Sequence, residues 1–135
     1  MDGITLQIMS NALRAVAQEM EAALVRSAYS PNITERRDCS TALFDPRGRM
    51  VVQSASIPVH LGAMPEAVDA VRACGAVPGE IWAVNDPYRG GTHLPDITMI
   101  SPIAVDHSLA AYAVTRAHHA DVGGMVPGSE AAVCK

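Results

Sequence analysis

The sequence predicts a mixed α/β fold of the α+β kind, with one long N-terminal helix followed by short strands whose end loops carry the polar chemistry. Three observations lead there. Met9, Leu13, Val16, Met20 and Leu24 recur at helical spacing near the start of the chain. Short apolar runs such as Ile81–Val84 and Ile97–Ile100 stand between clusters of turn formers. Two of the intervening segments place a Gly-Gly pair among histidines and aspartates, and these glycines are expected to let the two loop backbones approach each other.

The first helix is expected from Ile4 to about Tyr29, its stripe of Met, Leu and Val facing a core, with Ser30-Pro31 ending it. Glu35–Asp45 reads as a polar entry into a short strand. Asp45-Pro46-Arg47-Gly48 has turn chemistry, and Arg49–Gln53 returns as the second strand of a hairpin. Pro58 and Gly62 punctuate the approach to a second helix over Pro65–Ala73. Met64, Ala67, Val68 and Val71 lie on one face of it, and Gly75 marks its stop. Ile81–Val84, Ile97–Ile100 and Leu109–Thr115 follow as strands, the last after a turn at Asp106-His107. Two helices with five or six short strands result.

Composition narrows the function. The 135 residues are 49% hydrophobic but only 4% aromatic, so the core is built mostly of Ala, Val, Ile, Leu and Met. A short, aromatic-poor chain buries little apolar area, and in isolation it is expected to be marginal or oligomeric. The net charge of −4, with both signs interspersed, offers no basic stripe for nucleic acid. No run is long enough to span a membrane, and the start lacks a basic segment followed by an apolar core, so the expected location is the cytoplasm. Cys39, Cys74 and Cys134 are widely spaced and are expected to be reduced thiols.

Chemistry concentrates in two loops. One holds Asp86, His93 and Asp96; the other holds His118, His119 and Asp121. His93-Leu94-Pro95-Asp96 spaces an imidazole and a carboxylate across a turn, where both side chains can converge. A third donor from the other loop, His118 or His119, would complete two nitrogens and one carboxylate. That set suits a divalent transition metal such as Mn, Fe or Zn better than Ca. Elsewhere, Glu35, Arg36, Arg37 and Asp38 are expected to support the fold as an ion-pair network. His60 is expected to be a hydrogen-bonded structural histidine, with a wall of the metal pocket as the alternative. His107 belongs to an exposed turn, and Trp82 to the core.

Four ordered stretches resemble the hydantoinase B / 5-oxoprolinase family: Glu35–Ser40, Pro58–Pro65, Asn85–Asp96 and Arg116–Gly124 followed by Pro127-Gly128-Ser129. The similarity runs from about Ile4 to Ser129. The resemblance implies an ATP-dependent cyclic-amide hydrolase acting on 5-oxoproline or hydantoin rings, with acetone-type carboxylation as the related alternative. It also implies a hetero-oligomer, in which a hydantoinase A-type subunit uses ATP and the B-type subunit carries a metal. No P-loop pattern occurs here, so ATP is expected on the partner. Residue by residue, the metal ligands fall on His93, Asp96 and His118, which selects His118 over His119. His119 or Asp121 would then act as general base or orient a ligand. Family B subunits are several times longer, so the chain is expected to be an N-terminal part of such a domain, inactive alone, or a truncated remnant that binds only metal or partner.

Overall fold

The computed structural model describes residues 2–55, 60, 62–124, 126 and 128. Expectations resting on Pro58, Pro127, Ser129, Cys134 and the 130–135 tail lie outside the described residues. Helix α1 (Gly3–Ser27) opens on Asp2, whose carboxylate accepts the Thr5 amide at 2.8 Å and so caps an otherwise unpaired donor. A one-turn helix α2 (Pro31–Thr34) follows. Ser30-Pro31 therefore both ends one helix and starts the next, because the fixed φ of proline fits a first helical turn. Then come β1 (Cys39–Phe44), β2 (Met50–Ala55), α3 (Met64–Ala73), β3 (Trp82–Val84), β4 (Asp96–Val105) and β5 (Ser108–His118). The five strands form one antiparallel sheet in the order β2-β1-β5-β4-β3. The last two strands are longer than the sequence suggests. Pro102 sits inside β4 opposite Tyr112, where the apolar run had seemed to stop.

Helices cover both faces of the sheet. On one face α3 buries Met64, Ala67, Val68 and Val71, the four residues its periodicity selects, against Ala42, Phe44, Ile100, Tyr112 and Val114. On the other, the end of α1 and α2 pack Leu24, Val25, Ala28 and Ile33 onto Cys39 and Ala117. All six residues of β1 are consequently buried. Burial pushes the Cys39 thiol up to about 11, with the Glu21 and Asp38 carboxylates adding to the effect against a smaller opposing pull from Arg37. The thiol is therefore protonated at neutral pH, as expected of a packing residue. Of the predicted α1 stripe, Met9 and Val16 are exposed and Leu13, Met20 and Leu24 half-buried; the one fully buried residue of the helix is Ala17, off the stripe. The sheet meets the helix at Ala17, whose carbonyl accepts the Thr41 hydroxyl at 2.6 Å, and the N-terminal turns border Val51 and Val52 of β2 across an open cavity.

Two turns set the strand registers. In the β1–β2 turn, Asp45 accepts the Arg47 and Arg49 amides at 2.9 Å and the Arg49 Nε at 2.7 Å. The β4–β5 turn places Asp106 and His107 at φ 48° and 64°, the left-handed region that tight hairpins require. Between Ile103 and Ala104 the β4–β5 register shifts by a bulge.

The Asp45 turn makes a testable contribution. The Arg49 and Arg47 hydrogen bonds outweigh desolvation and hold the Asp45 carboxyl below the usual carboxylate range. A depressed folded pKa means that this stabilisation is fully present above the unfolded value and is lost as pH falls through the folded one. We expect the hairpin amides of Arg47 and Arg49 to lose protection on acidification below the 3.8 reference value. Asp45→Asn should remove that acid step. An unchanged step in the variant, followed by NMR, would show that another carboxylate controls the turn.

Candidate metal centre

The end of the sheet where β4 begins and β5 finishes gathers the site. Asp96 is the first residue of β4 and His118 the last of β5, and the antiparallel register makes them direct partners. His93 stands three residues before β4, folded back so that its carbonyl accepts the Asp96 amide at 3.0 Å. Two further backbone bonds tie this end together. The His119 amide donates to the Pro95 carbonyl at 2.9 Å, and the His118 amide to the Asp38 carbonyl at 3.0 Å.

The three side chains converge. Asp96 Oδ1 lies 2.9 Å from both His93 Nε2 and His118 Nδ1, and the two imidazole nitrogens are 3.1 Å apart. Among the described residues this is the one group of three His, Cys, Asp or Glu side chains whose donor atoms cluster in this way. Each imidazole can donate one N–H to the Asp96 oxygen, and with those nitrogens deprotonated the same three atoms can face one cation. Ligand atoms ~2.1 Å from one ion and at right angles to each other lie ~3.0 Å apart, close to the spacing observed here. The donor set and its spacing therefore fit a transition-metal ion with remaining coordination positions. Asp96 is nearly sealed, whereas half of the His93 side chain is open to solvent, which leaves an approach for a small molecule.

The electrostatics suit such an ion. Burial works to raise the Asp96 pKa, but the Thr92 hydroxyl, His118 and His93 together hold it below the usual carboxylate range. The carboxylate is thus ionised at neutral pH and can act as a ligand. His60 lies behind it, 1% exposed, with Nδ1 2.9 Å from Ser40 Oγ and Nε2 3.6 Å from Asp38 and 4.0 Å from Asp96 Oδ2. Burial lowers the His60 pKa against the pull of the two carboxylates. Both sequence-level alternatives for His60 meet here: it is hydrogen-bonded and it backs the site, although its partner is a side-chain hydroxyl.

The remaining candidates sit elsewhere. His119 follows His118 and so falls on the opposite face of the sheet, where it lines a mainly apolar cavity of about 500 Å³ with Leu24, Ile33, Ile97 and Met99. Asp121 accepts the amides of Gly123 at 2.8 Å and Gly128 at 3.2 Å, and so shapes its own loop. Among the described residues neither side chain contacts the triad. Glu35, Arg36 and Arg37 are exposed and make no ion pair among the described residues, so the expected network is not formed there. Asp38 alone turns inward, towards His60. The Gly90-Gly91 pair does not bring the two loops together. It lets the first loop lie on α3 and on itself: a Cβ at Gly90 would fall 2.3 Å from the Ala67 nitrogen, and one at Gly91 2.6 Å from the Asp86 carbonyl oxygen. His107 occupies the exposed β4–β5 turn. Trp82 packs against the α3 core and donates its Nε1 to Glu80 at 2.9 Å.

One buried residue escaped sequence reasoning. Arg116 is 0% exposed, on the same face as His118, and donates to Thr98 Oγ1 at 2.7 Å and to the Gly90 carbonyl at 2.9 Å. The available signal was a charge at the inward position of the Tyr112, Val114, Arg116 alternation.

The chain is thus a helix–sheet–helix domain in which two imidazoles and one carboxylate converge at a strand end. The family model for Hydantoinase B/oxoprolinase matches residues 2–134, and the chain belongs to that family. It is 42% identical over 132 residues to a 5-oxoprolinase of Saccharomyces cerevisiae, covering 95% of this chain and 10% of that protein. Among solved structures it resembles the ATP-dependent caprolactamase of Pseudomonas jessenii. The TM-score is 0.80 and the identity 28%, with 96% of this chain and 23% of that one covered. A nucleotide-free acetone carboxylase gives a TM-score of 0.79 at 26% identity over 91% of this chain and 17% of its own. The chain thus spans a quarter or less of these relatives. Among the described residues no helix is long and apolar enough to cross a membrane.

Proposed function

We propose that this chain supplies the metal-binding part of an ATP-dependent enzyme that opens cyclic amides of the 5-oxoproline or hydantoin kind, with ATP used on an A-type partner subunit. The observation that carries this reading is the convergence of His93 Nε2, His118 Nδ1 and Asp96 Oδ1. The relatives named as 5-oxoprolinases supply the substrate class. His93, Asp96 and His118 would hold a Mn, Zn or Fe ion. A divalent ion bound there supplies Lewis acidity, which polarises a carbonyl or makes water a better nucleophile near neutral pH. The protein side of the chemistry is positional. Asp96 enters the site already ionised, and the Thr92 hydroxyl fixes Oδ2, the oxygen that faces away from His93 and His118. Strand pairing fixes His118, and the half-exposed His93 borders the open side where a substrate would approach.

The likeness to acetone carboxylase supports a second reading, in which the same residues serve ATP-linked carboxylation of a small ketone. One experiment separates the two. The chain, assembled with its A-type subunit, is supplied with ATP and either 5-oxoproline, N-methylhydantoin, or acetone with bicarbonate. We expect ATP consumption coupled to ring opening, lost after chelation and restored by Mn(II) or Zn(II). Turnover that survives exhaustive chelation counts against the metal. Acetone consumption without ring opening selects the carboxylase reading.

A further inference from the structure

Arg116 is the largest of the fully buried side chains, yet among the described residues no carboxylate pairs with it. It lies on central strand β5, with Ser40 of β1 and Thr98 of β4 as its register partners. Its guanidinium is held by neutral acceptors: Thr98 Oγ1 at 2.7 Å, the Gly90 carbonyl at 2.9 Å and the Ala63 carbonyl at 3.5 Å. The remaining nitrogen, Nη1, is buried without a partner among the described residues. A buried cation held in this way is a poor device for stability, because an apolar side chain of similar volume avoids the desolvation penalty. Only a planar fork reaches three separate segments from one strand position.

Those segments are the ones that frame the site. Thr98 is two residues beyond Asp96 and on the same face of β4. Gly90 is three residues before His93. Ala63 ends the passage from His60 into α3. Gly90 cannot retreat from Arg116, because the backbone of α3 stands immediately behind it, at 2.3 Å from where a Cβ would be. The loop behind it is closed on itself by the Arg89 and Gly91 amides, which both donate to the Asp86 carbonyl.

We propose that Arg116 is the positioning residue of this centre: its buried guanidinium pins the Gly90 and Ala63 carbonyls against α3 and so sets where His93 stands relative to Asp96 and His118. The proposal rests on reading the triad as a metal site. Arg116 makes no hydrogen bond to a ligand atom; the Asp96 charge reaches it only through space, and its bonded contacts run to Thr98 and the loop. A lysine in its place keeps the charge but offers no fork, so it cannot hold Thr98 and Gly90 together.

The test uses the full chain carrying Arg116→Lys, with Phe44→Leu as a control that weakens the α3 core at the far end of β1, opposite Tyr112 rather than Arg116. Mn(II) binding is followed by electron paramagnetic resonance, Co(II) coordination by visible absorption, and loop order by hydrogen exchange at the Gly91 amide without metal. Arg116→Lys should raise the Mn(II) dissociation constant about 10- to 100-fold, the range typical of lost ligand support. It should also alter the Co(II) spectrum and speed Gly91 exchange. Phe44→Leu should leave the affinity and the spectrum unchanged. A folded Arg116→Lys with wild-type affinity, spectrum and exchange overturns the proposal. If that variant does not fold, Thr98→Val, which removes only the Nε acceptor, decides in the same way. A wild-type chain that takes up neither Mn(II) nor Co(II) overturns the metal reading instead, and Gly91 exchange alone then decides whether Arg116 pins the loop.

Discussion

Replacing Asp96 with asparagine should lower the affinity of the chain for Mn(II) or Zn(II) by about 100-fold or more, since altered ligand support alone reaches that range. Asp96 is the sole anion of the triad, and both imidazole nitrogens face the same oxygen, at 2.9 Å. It is also almost fully buried, so water cannot screen the attraction that its charge exerts on a cation. Asparagine keeps the shape, which limits the change to charge and donor chemistry. An amide group turned towards the histidines would present N–H where a lone pair is needed. His93→Ala and His118→Ala should also weaken binding, the former less, because the His93 side chain is half exposed and water can take its place. Isothermal titration with each metal gives the ranking. An Asp96→Asn protein that binds within about threefold of wild type, or that binds better than His93→Ala, would show that the carboxylate is not the anchor. The magnitude again comes from typical ligand effects.

The second large effect concerns Gly90. Alanine there should destabilise the chain by about 3 kcal/mol or more, in the upper range for single substitutions. Two penalties coincide. The residue sits at φ +87°, where an L side chain is strained by roughly 1–2 kcal/mol. The new methyl would also overlap backbone: it would lie 2.3 Å from the Ala67 nitrogen and 2.5 Å from its Cα. A side chain could rotate away, but the first turn of a helix cannot, so the loop must lift and release the Arg116 contact. Gly75→Ala provides the comparison, since its φ is +79° with nothing within 4 Å of the added carbon. It carries the strain without the collision and should cost only about 1 kcal/mol. Urea midpoints of the two variants test the difference, and equal midpoints would show that the loop rests on α3 far more loosely than these distances indicate.

Local pattern made much of this architecture legible. The inward residues of α3 follow from helical periodicity alone, and the β1–β2 hairpin from Asp45-Pro46-Arg47-Gly48. The pairing of His93 with Asp96 follows from their spacing across one turn. What stayed hidden depends on contacts between distant segments. A stripe along α1 says which face is apolar but not which of its residues the sheet seals: Met9 and Val16 are exposed, while Ala17, off the stripe, is fully buried. Spacing could not choose between His118 and His119, and the family resemblance made that choice. In the fold, the alternation of β5 sends the two rings to opposite faces. The loop glycines were noted correctly, but their purpose was not, because α3 lies far from them in sequence. Arg116 carried a signal that only becomes readable once the inward face of β5 is known.

The bulge near the far end of the β4–β5 hairpin has a consequence for how the centre is encoded. Counting from the turn, where Val105 faces Ser108, nine steps back reach Asp96 and nine steps forward reach Ala117. An uninterrupted ladder would therefore put a methyl group opposite the carboxylate, and it would turn His118 out of line. The one extra residue on β5, Ala110, which stands opposite the Ile103–Ala104 step, makes the partner His118 instead. The hairpin works as a ruler whose zero is set about 25 Å from the site, at ~3.3 Å per residue. Losing a single alanine at that mark could leave every ligand in the sequence and dismantle the centre. In this family a gap of one position between 108 and 111 therefore carries as much information about the site as a change at His118 itself.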